Sequence, residues 1–141
     1  MQIIEGKYNG FCFGVKSAVE AVEDALRVQK PVYTYGPIIH NPAVVERLRA
    51  QGALDVDDIE QIPLGATVVI RSHGVPPTVY AHCTKRGLHV VDATCPFVAR
   101  IQRLVREAYA RGEQVVIAGR ADPVSYTHLR PSRDDRLEPG A

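Results

Sequence analysis

Two cysteines and two histidines, Cys12, His40, His73 and Cys95, each fall just past the carboxyl end of an expected strand. In α/β proteins that edge is where ligands bind, in the crevice beyond the strand ends. Thiols and imidazoles arriving there together point to a metal or anion site.

Cys12 lies in Gly10-Phe11-Cys12-Phe13-Gly14-Val15, directly before a helical stretch. Unpaired N–H groups and the helix dipole at such a point favour a thiolate, the form that binds iron or zinc. The other reading is a small residue buried in a tight turn. Asp92-Ala93-Thr94-Cys95-Pro96 repeats the same physics, with proline fixing the first helical turn. There Thr94 can cap the helix instead, leaving Cys95 as packing. His40 precedes Asn41, and His73 stands in Arg71-Ser72-His73-Gly74. Each imidazole can donate to a phosphate oxygen, with nearby helix N-termini adding amide donors, and each taken singly also reads as a polar loop residue. Gly74 lets the backbone approach a ligand closely. Arg71 is a further phosphate contact or, on the plainer reading, an exposed surface charge.

Cys83 is set apart. It comes late in a crossover helix, which places it toward the opposite edge of the sheet, roughly 10–15 Å from the other four at about 1.5 Å per residue. It reads as packing, and His82 and His89 as solvated or structural.

The elements that carry these residues follow from apolar periodicity. Ile3-Ile4 is expected as a short strand, with a loop over 6–14. Val15, Ala18, Val19, Val22, Ala25 and Leu26 recur at helical spacing. A strand over 31–35 is broken by Gly36-Pro37. Asn41-Pro42 is a capped helix start, with Val44, Val45 and Leu48 facing the core and Gly52 as a left-handed stop. Residues 55–65 form a connector with one helical turn near 58–61. Thr67-Val68-Val69-Ile70 is β-branched without interruption, as in a strand buried on both faces. A helix over 77–86 ends at Gly87, and a strand over 88–91 follows. The helix after Cys95 carries the best stripe of the chain, Phe97, Val98, Ile101, Leu104, Val105 and Ala108, closed by Gly112. Its charged residues, Arg100, Arg103, Arg106 and Glu107, make its wet side, and 114–118 is a last strand. Alternating strands and helices predict an α/β fold, a parallel sheet with right-handed crossover helices.

Composition narrows the partners. The chain has 141 residues, 45% of them hydrophobic and 23% charged, enough for one domain with a real core. A formal net charge of +1 gives no electrostatic case for nucleic acid or a membrane surface. No apolar run approaches the roughly 20 residues that span a bilayer. The start, Met1-Gln2-Ile3-Ile4, has no secretory character, and three cysteines at wide spacing make no disulfide framework, so a cytoplasmic location is expected. From residue 123 to 141 the apolar period is lost. Val124-Ser125-Tyr126-Thr127-His128-Leu129-Arg130 looks like translated read-through or adapter sequence, and this tail is expected to be disordered.

Four motifs now stand in order: Gly10-Phe11-Cys12-x-Gly14-Val15, Ile39-His40-Asn41-Pro42, Arg71-Ser72-His73-Gly74-Val75 and Val91-Asp92-Ala93-Thr94-Cys95-Pro96. In order and spacing, over residues 1 to about 122, the chain resembles the 4-hydroxy-3-methylbut-2-enyl diphosphate reductase family, the last enzyme of the non-mevalonate isoprenoid pathway. The resemblance implies one lobe, 1–96, and the beginning of a second, 97–122, of an enzyme with three α/β lobes around a 4Fe-4S cluster. It implies reductive removal of the substrate hydroxyl as water, giving isopentenyl and dimethylallyl diphosphate, with ferredoxin or flavodoxin as electron donor. Carried over by motif, Cys12 and Cys95 resemble two of three cluster ligands, and His40 and His73 resemble diphosphate-binding residues. Thiolates suit iron–sulfur ligation, and an open iron suits Lewis-acid action on a hydroxyl.

The departures are equally specific. Where the family continues Gly-x-x-x-His-Pro-Glu, this chain has Gly119-Arg120-Ala121-Asp122-Pro123, without the histidine or the proton-relay glutamate. No catalytic residue is therefore assigned, and the third cluster cysteine is missing. On this reading the chain is an amino-terminal fragment, inactive alone. A different class of function is a small zinc-binding or interaction module using Cys12, His40, His73 and Cys95 as a Cys2His2 set, although the spacing matches no zinc finger. A phosphate-binding α/β protein without metal would leave both cysteines at helix starts unexplained.

Overall fold

A computed structural model of the chain describes residues 3–4 and 9–116. Helix α1, Phe13–Val28, buries Ala18, Val19, Val22 and Leu26 along the face expected from their spacing, and also Gly14, which was expected in the preceding loop. Strand β1, Val32–Tyr35, follows, and then α2, Pro42–Gln51. The Asn41 side chain accepts the Val44 amide at 3.2 Å, and Gly52 turns the chain left-handed at φ 111°. Strand β2, Ala53–Val56, and a 3-10 turn, Ile59–Gln61, lead to β3, Thr67–Ile70, all four of whose residues are buried. Helix α3, Pro77–Lys85, strand β4, His89–Asp92, and helix α4, Pro96–Ala110, complete the described elements.

The sheet has the order β2-β1-β3-β4, and every pairing is parallel. Tyr35 pairs with Ile70 and Ile70 with Asp92, so the carboxyl ends of β1, β3 and β4 finish level. One apolar cluster joins α1 and α2 to Val32 and Val69, and a second joins the 3-10 turn and α3, through Cys83, to Val68. Helices therefore cover both faces, as parallel sheets require.

Three expectations change. Ile3 and Ile4 form no strand and are 82% and 85% exposed, because a run of two residues makes too few ladder bonds to hold a sheet edge. The connector read over 55–65 hides the end of an edge strand. Only Ala53 of β2 is buried, and Asp55 on it pairs with Arg49 at 2.7 Å, so its composition looks like a loop. Residues 113–116 are irregular where a last strand was expected, and its remainder lies outside the described residues. The tail from 123 onward also lies outside them. The stripe on α4 forms as a helix face, but no residue of that helix is buried. Among the described residues no helix is long and apolar enough to cross a membrane.

Candidate functional site

Hydrogen bonding carries the sheet past its strands. The Ala93 amide donates to the Ile70 carbonyl at 3.1 Å and the Cys95 amide to the Ser72 carbonyl at 2.9 Å, continuing the parallel β3–β4 ladder. Ser72 is buried, and its amide and hydroxyl both reach the Ile38 carbonyl at 3.4 Å. The loops after β1, β3 and β4 are thus bonded to one another.

His40 and His73 come together on this edge, with ring centroids 4.9 Å apart and planes inclined by 41°. The chain leaves β1 for α2 on one face of the sheet and leaves β3 for α3 on the other. The two histidine loops therefore diverge between adjacent strands, the switch point at which parallel sheets open a crevice. His40 is exposed and His73 half-buried, and Pro37, Ile39, Asn41, Pro42 and Val45 line the open pocket beside His40. Neutral imidazole offers one N–H donor and the cation two, so a pair of rings here suits an oxyanion.

Arg71 joins this edge. It is half-buried, and a Cβ on Gly36 (φ +68°) would lie 3.1 Å from its Nη1, so the guanidinium lies over the end of β1. The plainer reading of an exposed surface charge gives way, because the loop turns Arg71 inward across a glycine. Gly74 has φ +73°, and a Cβ there would stand 2.8 Å from Gln102 Nε2. The same Nε2 donates to the His73 carbonyl at 3.3 Å, so α4 grips the histidine loop.

Each cysteine stands at a helix start, but only Cys95 lies past a strand end as expected, because Ile3-Ile4 forms no strand before Cys12. Cys12 is the N-cap residue of α1 and Cys95 that of α4, and neither side chain makes a cap hydrogen bond. Thr94 does not cap α4, because its hydroxyl turns back to Asp92 Oδ1 at 2.5 Å. Cys95 Sγ rests on the first turn of α1, where a Cβ on Gly14 would stand 2.5 Å from it. The residue type at 14 thus makes the room for this thiol. Asp92 Oδ1 also accepts the Thr94 amide at 2.9 Å, and Tyr80 donates its hydroxyl to Oδ2 at 2.9 Å. Burial, with a smaller contribution from Asp92 and against an opposing one from Thr94, pushes the Tyr80 phenol up to about 12.

Cys83 is fully buried in the core cluster under α3, in agreement with its reading as packing, and burial pushes its thiol up. His82 and His89 are exposed. Among the described residues no group of three or more His, Cys, Asp or Glu side chains is placed to hold a metal ion. The Cys2His2 set considered for zinc therefore does not assemble, since the thiols go to the helix starts and the imidazoles to the switch point.

Three contributors had no role assigned from the sequence: Gly14 and Ser72, which stand inside the motifs, and Gln102. Gln102 had a visible signal, because it is a polar residue one turn from Val98 and Val105 on a half-buried face of α4. Gly14 and Ser72 act through contacts 81 and 34 positions away, between Gly14 and Cys95 and between Ser72 and Ile38, which no local pattern marks.

A family model described as LytB protein matches residues 3–124, which includes every residue of this site. The chain belongs to the LytB protein family. Among its LytB relatives, the 4-hydroxy-3-methylbut-2-enyl diphosphate reductase of Citrifermentans bemidjiense is 43% identical over 121 residues, covering 86% of this chain and 43% of that protein. The reductase of the same name from Caldanaerobacter subterraneus is 40% identical over 123 residues, covering 84% and 43%. Two solved structures share the fold. The Plasmodium falciparum E-1-hydroxy-2-methyl-but-2-enyl-4-diphosphate reductase superposes with a TM-score of 0.83 at 29% identity, covering 87% of this chain and 39% of that one. A second, (E)-4-hydroxy-3-methyl-but-2-enyl diphosphate reductase, described as the terminal enzyme of the non-mevalonate pathway, gives 0.76 at 42% identity, covering 90% and 45%. The chain thus spans 43% of the length of these two curated LytB relatives.

Proposed function

We propose that this chain supplies the diphosphate-binding edge and two thiolate ligands of a 4-hydroxy-3-methylbut-2-enyl diphosphate reductase. The observation that carries the reading is the meeting of two helix starts, with Cys95 Sγ seated on the first turn of α1 just past Cys12. The donor set fits an iron–sulfur cluster. Both thiols stand at helix N-termini, which favour negative charge, and neither is used as a cap. Cys12 and Cys95 would hold the 4Fe-4S cluster together with a third cysteine from sequence beyond this chain. When bound, the cluster supplies electrons and a Lewis-acidic iron toward the substrate hydroxyl.

The protein's own part is recognition and orientation. His40 and His73 donate to the diphosphate oxygens, with Arg71 adding positive charge behind them. Holding the diphosphate at the switch point directs the allylic end of the substrate toward the thiol side of the same edge. The net reaction breaks the allylic C–O bond, takes up two electrons and two protons, forms a C–H bond and releases water. Ferredoxin or flavodoxin in a cytoplasmic setting is the electron source on this reading. Helix α4 begins the second lobe, and its uncovered apolar stripe is the face on which that lobe builds.

Two thiolates cannot replace three, and one edge cannot enclose a substrate. The 141-residue chain is therefore expected to hold no stable cluster and to show no turnover. Anaerobic reconstitution with iron and sulfide tests this, and brown, active protein would contradict it. In a polypeptide completed with the remaining family sequence, Cys12→Ala and Cys95→Ala should each remove the cluster's visible absorbance. Retention of that absorbance in either variant would end the ligand assignment.

A further inference from the structure

Asp92 is the last residue of β4, exposed, with no share in either apolar cluster. Both oxygens of its carboxylate are nevertheless engaged. Oδ1 accepts the Thr94 amide at 2.9 Å and the Thr94 hydroxyl at 2.5 Å, and Oδ2 accepts the Tyr80 hydroxyl at 2.9 Å. The first pair closes a local turn of the kind aspartate side chains form two residues on. The third bond ties that turn to α3. Cys95 comes next in the chain, and no cap hydrogen bond of its own side chain fixes it.

We infer that Asp92 is a positioning residue that holds the Cys95 thiol against the first turn of α1 through Thr94, with Tyr80 anchoring the carboxylate from α3. The inference rests on the reading of Cys95 as a functional thiol. Three constraints converge on that residue: the aspartate turn before it, the Ser72 carbonyl on its amide at 2.9 Å, and the space left by Gly14. Only the first is a side-chain choice free of any packing reason.

The test is thiol reactivity of the reduced 141-residue chain, with alkylation by iodoacetamide followed at Cys12, Cys83 and Cys95 by peptide mass spectrometry. Losing the turn should cost about one net hydrogen bond, so Asp92→Ala should make Cys95 react about fivefold faster. Cys12 should keep its wild-type rate. Asp92→Asn retains an acceptor at Oδ1, and its Nδ2 can donate to the Tyr80 hydroxyl oxygen in place of accepting from it, so it should restore most of the slow rate at Cys95. A wild-type Cys95 rate in Asp92→Ala, equal acceleration at Cys12, or no rescue by asparagine would each overturn the inference. If Asp92→Ala does not fold by circular dichroism, Thr94→Val takes its place. It removes the hydroxyl and keeps the shape, and it must speed Cys95 selectively or the inference fails. Because the readout needs no cluster, it is separable from the ligand assignment. A clamped Cys95 whose alanine variant still binds the cluster would uphold the positioning role and refute the ligand role.

Discussion

Helices α1 and α4 have almost the same length and the same kind of apolar stripe, yet they meet opposite fates. α1 buries four residues against β1, β3 and α2 and a fifth, Gly14, beneath Cys95, whereas α4 buries none, and Phe97, Ile101 and Leu104 remain 70%, 48% and 50% exposed. Both helices begin at a cysteine, and those two starts touch. Apolar periodicity therefore declares that a face will be covered without naming the cover. For α1 the cover is the sheet. For α4 it lies on our reading in the part of the LytB polypeptide that this chain, at 43% of its relatives' length, does not span.

The sharpest way to break this contrast is a buried charge. Val22→Asp places a carboxylate where exposure is 0%, and it should abolish the cooperative urea transition of the chain. Ile101→Asp, by contrast, should cost no more than about 0.5 kcal/mol, because about half of that side chain is already exposed. If both variants unfold alike, α4 has a partner within the chain and the contrast is wrong.

A smaller effect probes the junction of the two helices. Gly14→Ala gains helix propensity but drives a methyl into Cys95, so we expect a net loss of about 1–2 kcal/mol by denaturant titration. Accelerated alkylation at Cys95 should accompany it. Next comes Asn41→Ala, which removes the cap of α2 and should cost about 1 kcal/mol by the same measurement.

At neutral pH the smallest effect is that of Tyr80, which shows only in alkali. The folded state raises the Tyr80 phenol from 10.0 to about 12, which favours the neutral form. The stability it contributes is complete below pH 10.0 and is lost as pH rises toward about 12. Tyr80→Phe should flatten that limb of a pH–melting profile and leave the neutral plateau nearly unchanged.

Much of the fold was legible because its signals are local. The β-branched run of β3, the Asn41-Pro42 start and the Gly52 stop each rest on backbone physics that neighbours within a few residues decide. So did the placement of both cysteines at helix starts and both histidines beyond strand ends. What stayed hidden depends on distant partners. Strand β2 is a strand because β1 offers it a ladder, not because Ala53-Leu54-Asp55-Val56 resembles one. Arg71 is drawn in by the absence of a side chain at Gly36, and Thr94 is taken from its capping role by Asp92. Ile3-Ile4 shows the converse, apolar residues with no ladder to join.

The extra rungs from Ile70 to Ala93 and from Ser72 to Cys95 have a consequence for how a ligand is met. Loops that share a strand's hydrogen bonds also share its resistance to opening, so the amides of Ala93 and Cys95 should exchange with solvent deuterium nearly as slowly as those of β4. The loops that carry His73 and Cys95 are thus tied to the sheet's own ladder, and on the proposed reading an anion or a metal centre would find their spacing already set.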